Sequence, residues 1–489
     1  MRVTRRRVAA LLGLGVPAAF LTRPALHLGT ALANDDDALP PVPLGHADDA
    51  SRLNQTAIAG EVTPEGDAGS VLGAVRSALS RARRDRLAVS IAGARHTMGG
   101  HTIAPGGLVI DTAKMNSIEV LGAAPALVEV GAGVHWHQLI PALDARGLAV
   151  GVMQSNDGFS VGGSMGANCH GWQPARPPLV STIESFRIVL ADGSERECSR
   201  SQDAELFRLV IGGYGLFGVV TSVRLRVVEN RLLKASRFRV PVTAYPATWA
   251  EHAAGAELAF GRLCPDPERL FEEALLTVYR AEDARELPRL VPFERSALKR
   301  ALFRGEVGSD YGKDLRWTLE TRLGSEAGKL ATRNQLMSEP VSLFQNRDPA
   351  STDVLHEYFV PLQAFLPFVE RLRATLARHP ACDLLNVTVR NVLADGDSFL
   401  RYARTEVFSF VLLFCHARAP EADQAMRALT CELIDAALAQ GGTYYLPYRL
   451  HATREQLRRA YPMADAFFAK KRQWDPDLIF RNRFFDAYA

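Results

Sequence analysis

The chain has few cysteines, no long hydrophobic segment and almost no excess of either charge. Its 489 residues include six cysteines, widely spread and without a CxxC pair, which excludes a dense disulfide framework and a zinc-type spacing. The apolar run over 8–21 is shorter than the roughly 20 residues that span a bilayer. Lysine and arginine total 57 against 54 acids, and the net charge of +3 gives no argument for nucleic acid or an anionic membrane.

The rest of the composition is that of an ordinary globular protein. Hydrophobic residues make up 47% and charged residues 23%, and the mean hydropathy is −0.03. These proportions exclude a disordered or fibrous chain. A chain of this length can bury a sizeable core without disulfides, and we expect two or three domains.

Residues 1–33 are predicted to be an export signal. They hold five arginines and no acid, so removing them from the net charge of +3 leaves −2 for the remainder. Arg5-Arg6-Arg7, the short apolar run and the small-residue end at Ala31-Leu32-Ala33 are typical of a secretory signal. Thr4-Arg5-Arg6 resembles a twin-arginine signal, with an ordinary secretory signal or a retained anchor as alternatives. We expect an exported protein, periplasmic or extracellular, with a linker over 34–53.

Strands alternate with helices from about residue 66, and several hairpins interrupt them, as at Asp192-Gly193. This pattern of strands, helices and hairpins favours an α+β fold over a regular βαβ series. Later segments predict two strong strands and three helices, and one polar stretch reads as a long excursion or a mobile segment. The strands are 384–393 and 406–416, the helices are 361–378, 420–440 and 453–472, and the polar stretch is 301–352.

Three segments combine glycine with small polar residues, at 92–101, 160–171 and 212–221. Glycine lets a backbone approach a ligand closely, and successive N–H groups in such loops bind anions. Three such segments within one region indicate the pyrophosphate of a dinucleotide, although three tight turns in a glycine-rich chain are the alternative. None of the three segments has the complete Rossmann layout, in which GxGxxG leads from a strand into a helix and a distal acid follows, and the Walker A pattern is absent from the sequence.

In this order the three segments resemble the flavin-binding domain of the vanillyl-alcohol oxidase or p-cresol methylhydroxylase (PCMH) superfamily. The sequence WDPDLIFRN at 474–482 resembles the closing segment of that family. The resemblance is nearest to the alditol and aldonolactone oxidase branch. It implies a two-subdomain PCMH-type FAD-binding domain over 54–230, and a capping α+β domain over 231–440 with an antiparallel sheet flanked by helices. A C-terminal segment over 441–489 would return to the FAD domain.

The resemblance also implies which residues bind FAD. The first loop would contribute Ala92, Gly93, Ala94, Arg95, His96, Thr97 and Gly99. The second would contribute Gly162, Gly163, Ser164, Gly166, Ala167 and His170. The third loop and the closing segment would contribute Gly215, Gly218, Val219, Val220, Arg481 and Asn482.

In several branches of the family a histidine of the first loop is bonded to the flavin 8α-methyl group, and His96 falls on that position. A neutral imidazole is nucleophilic near pH 7, so the chemistry is reasonable. Non-covalent FAD beside His96 is the alternative, and His101 is a weaker candidate for the bond. No cysteine stands in 154–158, where some relatives form a second bond.

The substrate half carries weaker signals. Arg390 matches the arginine of a Glu-x-Arg pair in alditol and aldonolactone oxidases, whereas Thr388 replaces the glutamate. Tyr448 and His451 fall near a histidine and a lysine of those enzymes. The predicted catalytic residues are therefore His451, Arg390 and Tyr448, which could take a hydroxyl proton. A strand ion pair for Arg390 and a surface position at a helix start for His451 are the alternatives.

Together these features predict an FAD-dependent oxidoreductase that oxidises a CH–OH group of a sugar, alditol or lactone-like alcohol, with hydride transfer to flavin N5. O2 or another acceptor would reoxidise the flavin. A phenolic, amine or lipid-linked sugar substrate, and a non-catalytic exported binding protein, are the alternatives. The His135-Trp136-His137 motif has no nearby carboxylate or cysteine in the sequence, so we predict no metal site.

Overall fold

The computed structural model describes residues 18–35, 39–123, 126–174, 176–293, 297–323 and 327–489. The predicted twin-arginine motif and most of the apolar run of the leader lie outside these residues. None of the helices in the described ranges combines the length and the apolarity that crossing a bilayer requires.

The first described element is the helix α1 (Ala18–Ala33), which packs against a later helix at 297–304. The Nε2 atom of His27 lies 2.9 Å from the carbonyl oxygen of Gly305, and the guanidinium of Arg23 stacks over the ring of Tyr311 at 3.9 Å. Directly after the helix, Asp35 accepts two hydrogen bonds from the largely buried Arg300. The residues around the predicted cleavage point are therefore built into the cap side of the fold.

Residues 46–229 form three sheets with four helices. A small antiparallel pair, β1 (His46–Ala47) and β2 (Thr56–Ala57), precedes a parallel sheet of β3 (Gly60–Val62), β4 (Val89–Ala92) and β5 (Leu108–Asp111), in the order β3-β5-β4. The third sheet has the order β10-β9-β11-β7-β6, with β8 paired to β11. Its strands are β6 (Ile118–Ala123), β7 (Ala126–Gly131), β8 (Leu148–Val150), β9 (Ile183–Val189), β10 (Glu195–Ser199) and β11 (Val219–Glu229).

The helices of this half cover the sheets and supply one glycine loop. They are α2 (Ala68–Asp85), α3 (Trp136–Asp144), α4 (Val161–Gly166) and α5 (Ala204–Val210). The helix α2 begins where the Asp67 side chain accepts a hydrogen bond from the backbone of Ser70, and it buries one apolar face against the parallel sheet. The predicted Asp192-Gly193 turn joins β9 to β10, and Gly193 has a φ of +82°.

The chain leaves β11 at Glu229 and enters an eight-stranded antiparallel sheet at Leu232. Its order is β15-β12-β14-β13-β17-β18-β16-β19. The strands are β12 (Leu232–Pro241), β13 (Leu258–Leu263), β14 (Glu273–Glu282), β15 (Leu330–Thr332), β16 (Ser351–Pro361), β17 (Asp383–Val392), β18 (Val407–Ala417) and β19 (Thr443–Tyr444). The strongest sequence predictions, β17 and β18, are the middle of this sheet, and we call it the cap sheet.

Helices flank the cap sheet and complete the chain. In the cap they are α6 (Tyr245–His252), α7 (Ala297–Arg304), α8 (Asp310–Thr318), α9 (Arg333–Leu336), α10 (Phe365–Arg378) and α11 (Pro420–Leu438), and a π-helical turn, Leu319–Leu323, follows α8. Short 3₁₀ turns cover Leu179–Thr182, Val242–Ala244, Pro267–Arg269, Val341–Leu343 and Leu362–Ala364. In its described residues, the predicted polar stretch over 301–352 contains helical segments, the short strand β15 and the start of β16. Together the described elements make an α+β fold.

The last segment returns to the parallel sheet. It contains α12 (Arg454–Ala460), α13 (Ala464–Trp474) and α14 (Arg483–Tyr488). The single predicted helix over 453–472 is wrong, because Pro462 cannot continue a helix and disfavours helical backbone at Tyr461, whose φ is −126°. Beyond α13, Phe480 forms a parallel bridge with Val89 of β4. All six cysteines are free thiols, and five are buried.

Candidate active site

A cavity of about 1160 Å³ lies between the glycine loops and the cap sheet. Residues from all three glycine segments line one side, and strands β13, β14, β16, β17 and β18 contribute side chains to the other. The volume exceeds the roughly 300–1,000 Å³ of ordinary small-molecule sites. It therefore has room for a dinucleotide together with a substrate.

The first glycine loop follows β4 and is packed against the second. A Cβ atom on Gly93 would stand 2.3 Å from the Oγ atom of Ser160, so only glycine permits this approach. Arg95 has a φ of +56° and is fixed by ion pairs to Glu61 at 2.9 Å and Asp111 at 2.7 Å. Five of the predicted loop residues, 93–97, line the cavity, whereas Ala92 and Gly99 lie behind it.

The second loop is the short helix α4. Ser160 caps it by accepting a hydrogen bond from the backbone of Gly163, and the same Oγ atom accepts one from Ala94 of the first loop. The predicted residues of this segment line the cavity, namely Gly162, Gly163, Ser164, Gly166, Ala167 and His170. No atom lies within 4 Å of the point where a Cβ of Gly166 would stand, so the loop leaves open space there.

The third loop lies between α5 and β11. Gly215 and Gly218 line the cavity with φ values of +72° and +156°, which disfavour any side chain. Val220 lines the cavity as well, but Val219 is buried within β11 and does not. The three loops thus form a narrow cradle that glycine keeps open, which fits the phosphates of a dinucleotide.

The closing segment supports this cradle from outside the cavity. Asn482 donates hydrogen bonds to the carbonyl oxygens of His101 and Tyr214 at 2.8 Å each, and so joins the first and third loops. Arg481 forms an exposed ion pair with Asp486. Neither Asn482 nor Arg481 lines the cavity.

His96 lines the cavity beside the ring of Phe159, with the ring centroids 4.1 Å apart. Burial lowers the pKa of His96 to about 4, although a hydrogen bond with the Gly158 backbone raises it. The imidazole is therefore neutral at pH 7 and keeps a lone pair that a nucleophile needs. His101 is also buried on the lining and packs between Tyr214 and Phe484.

A buried hydrogen-bond cluster stands where the cap sheet faces the second loop. Glu357 of β16 is its centre, and three side chains surround the carboxylate. The Nε2 atom of His170 lies 2.5 Å from Oε1, the Oγ atom of Ser409 donates to Oε1 at 2.5 Å, and the hydroxyl of Tyr448 donates to Oε2 at 3.1 Å. His170, Glu357 and Tyr448 line the cavity.

Arg390 completes this cluster. Its Nη2 atom donates to the Oγ atom of Ser155 at 3.0 Å, while its buried Nε atom has no partner. Burial would raise the pKa of Glu357, but the charges of His170 and Arg390 and the hydrogen bonds from His170 and Ser409 bring it below its usual value. Burial and the charge of Glu357 raise the pKa of Tyr448 well above its usual value. The cluster thus holds an ionised carboxylate beside a protonated phenol.

His451 does not reach the cavity. Its Nδ1 atom lies 2.9 Å from the hydroxyl oxygen of Thr430 on α11, and its Nε2 atom lies 3.3 Å from Asp423. The ring is 3% exposed and is absent from the cavity lining. Of the three predicted catalytic residues, the structure brings Arg390 and Tyr448 together and separates His451 from them.

Glu357 is the functional candidate that the sequence interpretation missed. It lies in the run VLHEYFV, where a single acid interrupts apolar and aromatic residues. An acid in a strand-like run of this kind is a signal, because glutamate is seldom fully buried without a partner. The pairing explains its position: Thr388 and Glu357 both pair with Val411, from opposite sides. The carboxylate is therefore on the same row of the sheet as the expected position at residue 388.

The described residues contain no group of histidine, cysteine and acidic side chains that could hold a metal ion. The rings of His135 and His137 lie edge to face at the start of α3, 5.2 Å apart. The backbone N–H of His135 donates to Gln138 Oε1 at 2.8 Å, as at a capped helix start.

Comparison with known proteins supports FAD as the ligand of the glycine cradle. Residues 72–199 match the family model of an FAD binding domain. The chain is 28% identical over 180 residues to L-gulonolactone oxidase of Mus musculus, covering 37% of this chain and 39% of that protein. It is 30% identical over 158 residues to decaprenylphosphoryl-beta-D-ribose oxidase of Mycolicibacterium smegmatis, covering 32% and 34%. It is 30% identical over 138 residues to cytokinin dehydrogenase 7 of Oryza sativa, covering 27% and 26%. The matches therefore span about a third of the length of the curated relatives.

Proposed function

We propose that this chain, which belongs to the PCMH-type FAD oxidoreductases by its flavin domain, oxidises a CH–OH group to a carbonyl. The expected substrates are sugars, alditols and lactone-like alcohols. The observation that supports the proposal is the cluster of Glu357, His170, Tyr448 and Arg390, where the cap sheet faces the second glycine loop. In this proposal Glu357 is the proton acceptor and Arg390 is the cation beside the substrate.

Bound FAD supplies the hydride acceptor for the carbon of the alcohol. The chain's own residues handle the proton. Tyr448 accepts a hydrogen bond from the substrate hydroxyl, and its own proton is already directed at Glu357 Oε2. As the C–H bond breaks, the hydroxyl proton moves to Tyr448 and the phenol proton moves to Glu357, so that the alcohol loses one hydride and one proton.

Arg390 and His170 hold this arrangement in place. The free Nε atom of Arg390 can donate to the alcohol oxygen and stabilise the negative charge that develops there. His170 fixes the Glu357 carboxylate through Oε1 and leaves Oε2 to Tyr448. The cap sheet and the second loop bury the cluster, and this exclusion of water strengthens each of these interactions.

We further propose that His96 bonds covalently to the flavin. The ring is neutral at pH 7 and lies on the cavity surface in the first loop. O2 or another acceptor would then reoxidise the flavin. A phenolic or amine substrate is a second candidate, because Trp172 and Phe260 stack at 4.7 Å on the cavity lining and offer a platform for a ring.

Export remains a proposal on the basis of the arginines and the apolar run in 1–33. The contacts of α1 with α7 would be lost if the leader is removed after Ala33, but the pair of Asp35 with Arg300 would stay. Sequencing the N-terminus of the exported protein tests both points. A terminus near Asn34 is expected, and an intact leader in the exported fraction would contradict it.

The test of function begins with the visible spectrum of the purified protein, followed by acid precipitation. Flavin that stays with the pellet in the native protein and is released from His96→Ala supports the covalent bond. Anaerobic bleaching by alditols, sugars and lactones, but not by phenols or amines, supports the CH–OH assignment. Protein that folds without any flavin in an FAD-replete host would contradict the whole proposal.

A further inference from the structure

The cap end of the cavity carries a group of charged side chains that the proposed reaction does not use. Arg237 on β12 and Arg262 on β13 both face Glu320, and all three line the cavity. The Nη1 atom of Arg262 lies 2.8 Å from Glu320 Oε2, and that of Arg237 donates to the Glu320 carbonyl oxygen at 3.0 Å. Arg316 of α8 joins them and pairs with the buried Glu306. We call these five residues the arginine cluster.

Some N–H donors of the arginines in this cluster have no hydrogen-bond acceptor. The Nε atoms of Arg237 and Arg262 are buried and have no hydrogen-bond partner. Burial and the neighbouring positive charges of Arg316 and Arg237 lower the pKa of Arg262 to about 10, although Glu320 and Glu306 raise it. A buried donor without a partner is costly, and a ligand oxyanion would satisfy it.

Two acids stand beside these arginines. Glu306 pairs with Arg316, and Glu339 lines this end of the cavity. Burial raises the pKa values of Glu306 and Glu339 to about 7 each, so these two acids are only partly ionised at pH 7.

The cap sheet sets the distance from this cluster to the reacting group. Arg262 pairs with Thr388, Thr388 pairs with Val411 and Val411 pairs with Glu357. All four residues stand in one row on one face of the sheet. With about 4.8 Å between neighbouring strands, three steps separate the backbones of Arg262 and Glu357 by roughly 14 Å. Both side chains extend into the cavity from the two ends of that row.

We propose that the arginine cluster binds an anionic group of the substrate, a carboxylate or a phosphate, while the alcohol carbon stands at the Tyr448–Glu357 pair. This inference rests on the proposed function and narrows it to a polyol acid or polyol phosphate, with the anion and the reacting hydroxyl at opposite ends. Arg262 and Arg237 donate to the oxyanion through their unpartnered Nε atoms, and Arg316 adds positive charge beside them.

The binding test uses sulfate as the probe, with the holoenzyme titrated by calorimetry. We expect sulfate to bind to the native protein and to bind about 10- to 100-fold more weakly to Arg262→Gln. The matched control is Arg239→Gln, which removes an arginine of the neighbouring region on β12 that pairs with the half-buried Glu273 and does not line the cavity. Equal affinity of the native protein and Arg262→Gln, or no binding to the native protein, would overturn the proposal.

Two further measurements keep the test decisive. If Arg262→Gln loses its flavin or its cooperative unfolding, Arg316→Gln takes its place, with Arg262→Lys as the conservative variant expected to keep most of the affinity. Lower pH should strengthen sulfate binding between pH 8 and 6, as Glu306 and Glu339 lose their charge. Glu306 is faced by Arg316, Arg262 and Glu320, and Glu339 by Lys299, Arg316, Arg262 and Asp157. Binding independent of pH in this range would contradict the role of the cluster.

Turnover separates this proposal from the proposed function. Polyol acids and polyol phosphates, compared with the neutral polyol of the same length, identify which oxyanion is used. A lower KM for one of the anionic compounds, lost in Arg262→Gln, supports the inference. Neutral polyols that react as well as both anionic compounds would overturn it and leave alcohol oxidation intact. If no alcohol bleaches the flavin, alcohol oxidation fails, and sulfate binding still decides whether the cluster is an anion site.

Discussion

Replacement of Glu357 by glutamine tests the proposed chemistry most directly. The carboxylate is 3% exposed and has contacts from His170 and Ser409 at 2.5 Å and from Tyr448 at 3.1 Å. The amide keeps the volume but removes the negative charge, and its NH2 group must face at least one donor. We expect the rate of flavin reduction to fall about 10²- to 10⁴-fold, as for loss of a general base. The loss of charged hydrogen bonds should cost roughly 1.5–3 kcal/mol of folding stability.

The assay is anaerobic mixing with the best alcohol of the substrate panel, with bleaching of the visible flavin absorbance as the signal. This signal reports the step in which the C–H bond breaks and excludes reoxidation. Glu432→Gln is the matched control, since it changes a half-exposed glutamate of α11 that pairs with Arg378 far from the cavity lining. It should reduce the flavin at the native rate.

Flavin content and thermal unfolding decide what a slow rate means. The Glu357→Gln protein should retain its flavin, because Gly215 and Gly218, whose positive φ values shape the cradle, belong to the third loop, whereas Glu357 contacts the second loop at His170. A variant that keeps its flavin and also keeps more than half of the native rate would refute the assignment of Glu357 as the proton acceptor. A variant that reacts slowly only because it has lost flavin would be recognised by its spectrum.

Three other predictions follow from the same structure. His96→Ala should release all flavin on acid precipitation. In the native protein, covalent attachment of flavin should proceed at the same rate from pH 8 down to pH 5, because a pKa of about 4 keeps the His96 ring neutral. An attachment rate that falls through pH 6.5 would contradict this. Asp475→Asn should lower the free energy of unfolding by about 3–5 kcal/mol in a denaturant titration, since it leaves the fully buried Lys471 without its partner. The control variant Asp465→Asn, which changes an exposed ion pair, should cost at most about 1 kcal/mol in the same titration. Gly93→Ala should strongly reduce the amount of flavin bound per chain, measured from the absorbance spectrum, because the added Cβ would stand 2.3 Å from Ser160 Oγ. A full flavin complement in this variant would refute the tight contact between the first and second glycine loops.

The cofactor side of the cavity could be predicted from the sequence because its determinants are local. A backbone that turns back beside a ligand needs glycine within a few residues, as the positive φ values of Gly215 and Gly218 illustrate. The segments that hold the cradle could be placed for the same reason. Their individual contacts could not, since Val219 and Arg481 stand in the right stretches but face away from the cavity.

The prediction of His451 as a catalytic residue shows a second limit. Tyr448 and His451 are three residues apart, and both are predicted because the segment resembles a stretch of the alditol and aldonolactone oxidases. The chain turns between them, however, and the half-buried Arg449 pairs with Asp423 at 2.8 Å. His451 therefore faces α11, on the far side of the chain from Tyr448. Local pattern identified the segment but could not decide which of its polar side chains faces the cavity.

The substrate side depends on pairing between distant strands, which no local pattern contains. Residue 388 lacks the expected carboxylate, yet β18 connects it through Val411 to Glu357, an acid from a strand 31 positions earlier in the chain. The same row continues in the other direction to Arg262, so one line across the cap sheet carries the proton acceptor at one end and the arginine cluster at the other. A shift of one residue in any of these three pairings would turn one end of the row away from the cavity. In the proposed binding mode, the register of β13, β17, β18 and β16 sets the position of the reacting hydroxyl and the length of the substrate. A substrate shorter than this row should then reduce the flavin without responding to Arg262→Gln.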